Sequence, residues 1–302
     1  MKEKPEYFQV KEIIDLNYNQ DGKYAYILLK KRNYNTADCI NIISKILKIN
    51  KKEIGYAGIK DKLAITTQYI SIPRLDKSKI DKIKLKDISL KFLGYGNERI
   101  SLGFLNGNKF KIRFEKEIPK INFFENYFDG QRFGINKNNH ILGKLIIKRD
   151  FKKLNSLMEK SENNYEYKTK LRFYLNSYQS YLFNLALSEY LSRYNSIEYP
   201  YSLGKFIFLK KKIPNFKIPL ISFDAKLKGE IGKIYKKILK KENIKLSDFL
   251  IKEIPFLVSD TQYRDAFVYV KDLNKNGNYI YFSLPKGSYA TILLKKLDLF
   301  SK

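Results

Sequence analysis

YAGIKDKLAITTQ, residues 56–68, closes one apolar run and opens another, and between them a single acid, Asp61, stands between Lys60 and Lys62. Ile54 to Ala57 is short and apolar, and Gly58 permits a tight bend or a close approach by another backbone. TQYISI (67–72) reads as a strand. The pattern therefore sets Asp61 on a loop held by strands, where chemistry usually sits. By pattern alone, an acid between two lysines is most often ordinary solvated charge.

Outward from this stretch, the first half of the chain reads as strands with one helix. YFQVKEI (7–13), YAYILLK (24–30), ISLKFLGY (88–95) and NKFKIRFE (108–115) alternate or run apolar in strand fashion. Thr36 is the expected N-cap of a helix running to about residue 48, with Ile40, Ile43 and Leu47 on one face. From about residue 150 the period changes. Leu171, Leu175, Tyr178, Leu182 and Leu185 mark a long helix over 168–193, and GKIYKKILKKE (232–242) is an amphipathic helix with a basic outer face. Strand character returns near the end. The layout suits a domain formed by residues 1–150 and 260–302, split by an insertion over 151–259; two consecutive domains are the alternative, and pattern alone does not choose between them.

Composition narrows the chemistry. Among 302 residues, 59 lysines and arginines face 31 acids, a net charge of +28 that suits a polyanionic partner. The 24 Tyr and 21 Phe include rings that can stack on unpaired bases, so nucleic acid is the favoured polyanion. No apolar run is long enough to span a membrane and the first residues lack a signal peptide, so a cytoplasmic protein is expected. One histidine and one cysteine leave almost no material for a His/Cys zinc site or a Ser-His-Asp triad. Neither a GxxxxGK[ST] loop nor a GxGxxG turn is present. Catalytic groups must be carboxylates, lysines, arginines or tyrosines.

AGIKDKLAITTQ resembles the signature of the tRNA pseudouridine synthase D (TruD) family, whose GxKDxxAxTxQ segment bears a catalytic aspartate. KEKPEYFQVKE (2–12), KKRNYNTADCINIISKIL (30–47), SLGFLNGNKFKI (101–112), NYFDGQRFG (126–134), FYLNSYQSYLFN (173–184) and FSLPKGSYATILL (282–294) resemble further family elements, in family order. The resemblance implies an α+β fold: a mixed, mainly antiparallel sheet with flanking helices, plus a smaller inserted α/β domain that grips RNA. It implies isomerisation of a tRNA uridine, at position 13 in the family, to pseudouridine. That reaction has no redox change and needs no cofactor; a monomer without a required metal is expected.

Residue by residue, the resemblance makes Asp61 the catalytic carboxylate and Phe128 the ring that stacks on the target uracil. Asn126 would position the base or the carboxylate, Lys2 and Lys60 would supply nearby positive charge, and Phe8 would line the site. An aspartate is ionised at neutral pH and can act as nucleophile or base. Asp129 stands where the family has glycine. Two rivals remain at this stage: a non-catalytic basic RNA-binding protein that keeps the fold, and a metal-dependent nuclease, which would need further carboxylates beside Asp61.

Overall fold

In the computed structural model, which describes residues 4–161 and 163–301, the first strands follow their alternation closely. β1 is Phe8–Ile13 and β2 is Tyr24–Arg32. α1, Thr36–Leu47, buries Cys39, Ile40 and Ile43 against Ala25, Ile27 and Leu29 of β2. Its cap is Asn35, whose side chain accepts from Asp38 N at 2.8 Å, so the helix begins with Thr36 already inside it. β3 (Gly55–Tyr56), β4 (Ile65–Pro73), α2 (Lys77–Asp81), β5 (Ile88–Gly96) and β6 (Gly107–Arg113) follow. β3 lies so close to its neighbours that a Cβ on Gly55 would stand 2.2 Å from Ile100 O, which only glycine avoids.

Next come β7 (Phe123–Glu125), α3 (Asn139–Ile147), α4 (Phe151–Leu157), α5 (Asn164–Leu191), β8 (Ser196–Tyr201) and β9 (Gly204–Leu209). β10 (Lys217–Leu220), α6 (Gly229–Glu242), β11 (Gln262–Asp265) and β12 (Phe267–Tyr269) complete this stretch. β13 (Lys271–Asn276), β14 (Tyr279–Pro285) and α7 (Ala290–Phe300) end the chain.

The chain divides into two compact units, Met1–Asn122 with Val270–Gly287 and Ser301–Lys302, and Phe123–Tyr269 with Ser288–Phe300. In the first, the strands run in the order β13-β14-β6-β1-β4-β2-β5, with β3 paired to β4. Only the β1–β4 pairing is parallel. This is the mixed, mainly antiparallel sheet of an α+β fold, and β4 lies inside it between β1 and β2. Val270 N donates to Asn122 O at 2.9 Å, so one hydrogen bond joins the points where the chain leaves this unit and returns.

The second unit is built around α5. α3 packs on it closely enough that a Cβ on Gly143 would stand 2.1 Å from Tyr174 O. β7 pairs with β12, and Lys296 of α7 forms a fully buried ion pair with Glu125 of β7, 3.0 Å apart. These contacts place the division at 122 and 269, where the change of sequence period pointed to 150 and 260. β7 and α3 precede the helical stretch in sequence yet pack with it, and α7 does so from the far end of the chain.

Candidate active site

Asp61 sits, half-buried, on the loop between β3 and β4. The loop is fixed from below by side chains of the preceding strand and helix. Lys31 of β2 lies between the exposed Lys30 and Arg32 but alternates to the inner face, where it is 1% exposed. Its ammonium donates to Tyr34 O at 2.6 Å, to Asp61 O at 3.0 Å and to Lys60 O at 3.4 Å. Burial pushes Lys31 down to about 8 despite the neighbouring Asp61. Thr36, turned inward from the start of α1, accepts from Lys60 N at 3.0 Å and donates to Gln68 Oε1 at 3.1 Å.

The signature thus separates into a presented acid and its framework. Ala64, Thr66 and Gln68 alternate into the core, each fully buried. Lys60 does not lie along the surface beside Asp61. Its Nζ is 3.1 Å from Glu12 Oε1 on β1 and donates to Asn108 Oδ1 of β6 at 2.5 Å. Gly58 needs no special backbone: an added Cβ would meet nothing closer than 3.7 Å, and its φ is not positive. Ile59 and Leu63, on either side of the acid, are 75% and 54% exposed.

In the second unit, Phe128 follows β7 and is held by its backbone. Asn184 of α5 accepts from Phe128 N at 3.0 Å and donates to Phe128 O at 2.8 Å, as a paired strand would. The Phe128 ring meets Phe183 and Tyr289 edge-on, with centroids 5.5 and 6.0 Å away. The Arg264 guanidinium carbon is 4.3 Å from the ring centre and that of Arg132 is 5.3 Å away. Burial pushes Arg264 down to about 10, which leaves it charged at neutral pH.

Asn126 is tied within the same unit. Its Nδ2 donates to Asp265 O at 2.8 Å, while Arg264 donates to its carbonyl oxygen at 2.9 Å and to its Oδ1. Asp129 takes an extended φ of −91°, so nothing here demands glycine, and its carboxylate pairs with Lys295 at 2.8 Å. Arg132 donates to Ser180 Oγ at 3.0 Å. In the first unit, Phe8 opens β1, 5% exposed and edge-on to Phe110. Lys286 donates to Gly103 O at 2.8 Å. Lys2 lies outside the described residues.

Lys31 is the candidate that the motifs do not single out, whereas Thr36 and Asn184 stand within them and hold the backbone of Lys60 and of Phe128. Lys31 had a signal in its inward position on an alternating strand. Asn184 had one as an amide on the apolar face of α5. Among the described residues, no group of three or more His, Cys, Asp or Glu is placed to hold a metal ion, and no helix is long and apolar enough to cross a membrane.

The model of the family described as tRNA pseudouridine synthase D (TruD) matches residues 1–171 and 207–297. Both the Asp61 and Phe128 segments lie within the match, whereas FYLNSYQSYLFN falls in the gap between its two parts. A protein of Thermococcus onnurineus named "Probable tRNA pseudouridine synthase D" is 31% identical over an alignment of 395 residues, covering 98% of this chain and 94% of the relative. A tRNA pseudouridine synthase D of Sulfurimonas denitrificans is also 31% identical, with 98% and 94% coverage. A crystal structure attributed to the TruD of Methanosarcina mazei superposes with a TM-score of 0.66 at 24% identity, covering 98% of this chain and 92% of its own, which is a likeness of fold. A family match over most of the chain, and relatives aligned along nearly all of it, lead to one conclusion: this chain belongs to the tRNA pseudouridine synthase D (TruD) family.

Proposed function

We propose that this chain is a tRNA pseudouridine synthase that isomerises uridine 13 of tRNA, with Asp61 as its catalytic carboxylate. The observation that supports this most directly is the Asp61 loop. A half-buried acid is carried on a segment whose backbone is tied to a buried lysine and a buried threonine, directly before an interior strand. Such fixing matters for a reaction in which a base must be attacked or relieved of a proton at one defined place.

The reaction breaks the N1–C1′ bond, turns the uracil, and forms a C5–C1′ bond, the proton lost from C5 being matched by one gained at N1. Atoms balance without oxidant, reductant or energy input. Asp61 acts at the sugar–base linkage as nucleophile or base, on a nucleotide flipped out of its stack. Phe128 stacks on the uracil, since a π-face holds the plane of a base while leaving its edge free to rotate. Arg132 and Arg264, charged groups beside that ring, suit the flanking phosphates. Lys60 anchors the loop through Glu12 and Asn108 instead of touching substrate.

The test is incubation of unmodified tRNA transcripts with the unaltered chain and with Asp61→Asn, followed by chemical mapping of pseudouridine. Modification at uridine 13 by the unaltered chain alone is expected. Equal modification by both removes Asp61 from the mechanism. Binding without modification by either favours a non-catalytic RNA-binding protein.

A further inference from the structure

We propose that Lys31 is a positioning residue of this reaction, its buried ammonium setting the place of the Asp61 carboxylate by holding the backbone on which it is carried. The inference rests on the reading of Asp61 as the catalytic group. A lysine in a core is ordinarily excluded or paired with an acid. Lys31 instead faces three backbone carbonyls, those of Tyr34, Lys60 and Asp61, at 2.6, 3.4 and 3.0 Å. An ammonium has three N–H donors, so the group and its cage match one to one. Two of the three acceptors belong to the peptide units on either side of the Asp61 Cα.

The match depends on charge. A neutral amine keeps two donors and gains a lone pair, so one carbonyl would face that lone pair and lose its bond. The loop would then lose one of its ties, with those through Thr36 and the Lys60 side chain remaining. The charged or titratable groups around Lys31 are Asp61 and Lys60 on the loop and the Cys39 thiol of α1, which burial pushes up to about 11. Cys39 therefore stays neutral over the range in which Lys31, lowered to about 8, releases its proton. An arginine would keep its charge throughout but would need more room than the cage offers, so a methionine, close in volume and without donors, is the cleaner replacement.

The experiment compares Lys31→Met and Asp61→Asn with the unaltered chain by single-turnover release of tritium from uridine C5 in a tRNA transcript, together with transcript binding and thermal melting. Lys31→Met is expected to bind the transcript unchanged but to lose about 100-fold in rate at saturating protein, as small misplacements of reacting groups do. In the unaltered chain the same rate is expected to fall as pH rises through about 8, with the fold intact. Full rate in Lys31→Met beside an inactive Asp61→Asn overturns the inference and leaves Asp61 in place. A loss that saturating protein restores also overturns it, because it marks a binding defect. An active Asp61→Asn removes the catalytic reading and this one with it. Should Lys31→Met fail to fold, Lys31→Leu, which also lacks donors, takes its place, and a full rate in it overturns the inference.

Discussion

Lys60 Nζ lies 3.1 Å from Glu12 Oε1, in a buried pair that joins the residue preceding Asp61 to strand β1. The same ammonium reaches Asn108 of β6, while the backbone of the loop is held by Lys31 and Thr36. The acid is therefore presented from a segment anchored to β1, β2, β6 and α1. Its neighbour in sequence is part of the anchorage.

Lys60→Met removes the cation and leaves Glu12 buried with only Tyr69 N to satisfy it, at 3.0 Å. Breaking such a pair from one side costs about 3–5 kcal/mol. Burial already raises the Glu12 pKa against the opposing effect of Lys60, and loss of the lysine raises it further. A carboxyl with a raised folded pKa favours the folded chain below its unfolded pKa, and that contribution is lost as pH rises through the folded value. The deficit of Lys60→Met should therefore shrink on acidification, and Glu12→Gln combined with Lys60→Met should recover part of it. Urea denaturation at pH 7 and pH 5 measures both effects; an unchanged midpoint at pH 7 would deny the pair any weight.

Lys31 should link stability and activity in opposite directions. Burial lowers its folded pKa to about 8, so above that pH the unfolded chain holds a proton that the folded chain has released. Stability rises with pH wherever the unfolded state binds more protons, so the contribution of Lys31 grows from about pH 8 towards the ordinary lysine range. Urea denaturation of the unaltered chain and of Lys31→Met, which cannot titrate there, should show the difference moving in favour of the unaltered chain across that window. The rate should fall over the same window. A constant difference would mean that Lys31 keeps its proton.

The longer strands of the first unit, α1, the long helix and the place of Asp61 on a loop were legible because each follows from a local period or a local motif. What escaped was decided by distant partners. Asn35 and Thr36 are both good caps, and only Gln68 and the Lys60 amide make Thr36 the one that turns inward. Lys30, Lys31 and Arg32 look like one solvated run until β4 and β5 pair on either side of β2 and its alternation acquires a buried face. Asp129 departs from a family glycine at no backbone cost because its φ is negative and Lys295, far along the chain, meets its charge. Gly58 looked constrained and is not, whereas Gly55, three residues earlier, is the one with no room for a side chain.

Phe128 tests the stacking role. Its ring is enclosed by Phe183, Tyr289 and two guanidiniums, Arg264 being 4.3 Å from the ring centre. A uracil that takes a face of this ring must displace or share it with a guanidinium. Phe128→Leu keeps an apolar side chain between the same neighbours and loses the π-face. Stacking on a base contributes about 1–3 kcal/mol, roughly 5- to 150-fold in rate if it acts in the transition state. Single-turnover kinetics should show a loss in that range while melting changes little. An unchanged rate would assign the ring to packing alone.

The net charge of +28 predicts a tRNA affinity that falls steeply with salt. α6 offers a local test of where the contacts lie. Lys233, Lys236, Lys237, Lys240 and Lys241 are all exposed along it, but they are not equivalent. Lys233 pairs with Glu230 and Lys237 with Glu189, at 2.7 and 2.8 Å, whereas Lys236, Lys240 and Lys241 make no ion pair among the described residues. An ammonium already beside a carboxylate has less charge to offer a phosphate. If α6 meets the RNA backbone, Lys236→Gln, Lys240→Gln and Lys241→Gln together should make the slope of log affinity against log salt shallower by about 2 units. Lys233→Gln with Lys237→Gln should change it by much less, and neither set should alter the rate at saturating protein. Filter binding at a series of salt concentrations measures the slopes; equal slopes in both sets and in the unaltered chain would place the RNA away from the exposed face of α6.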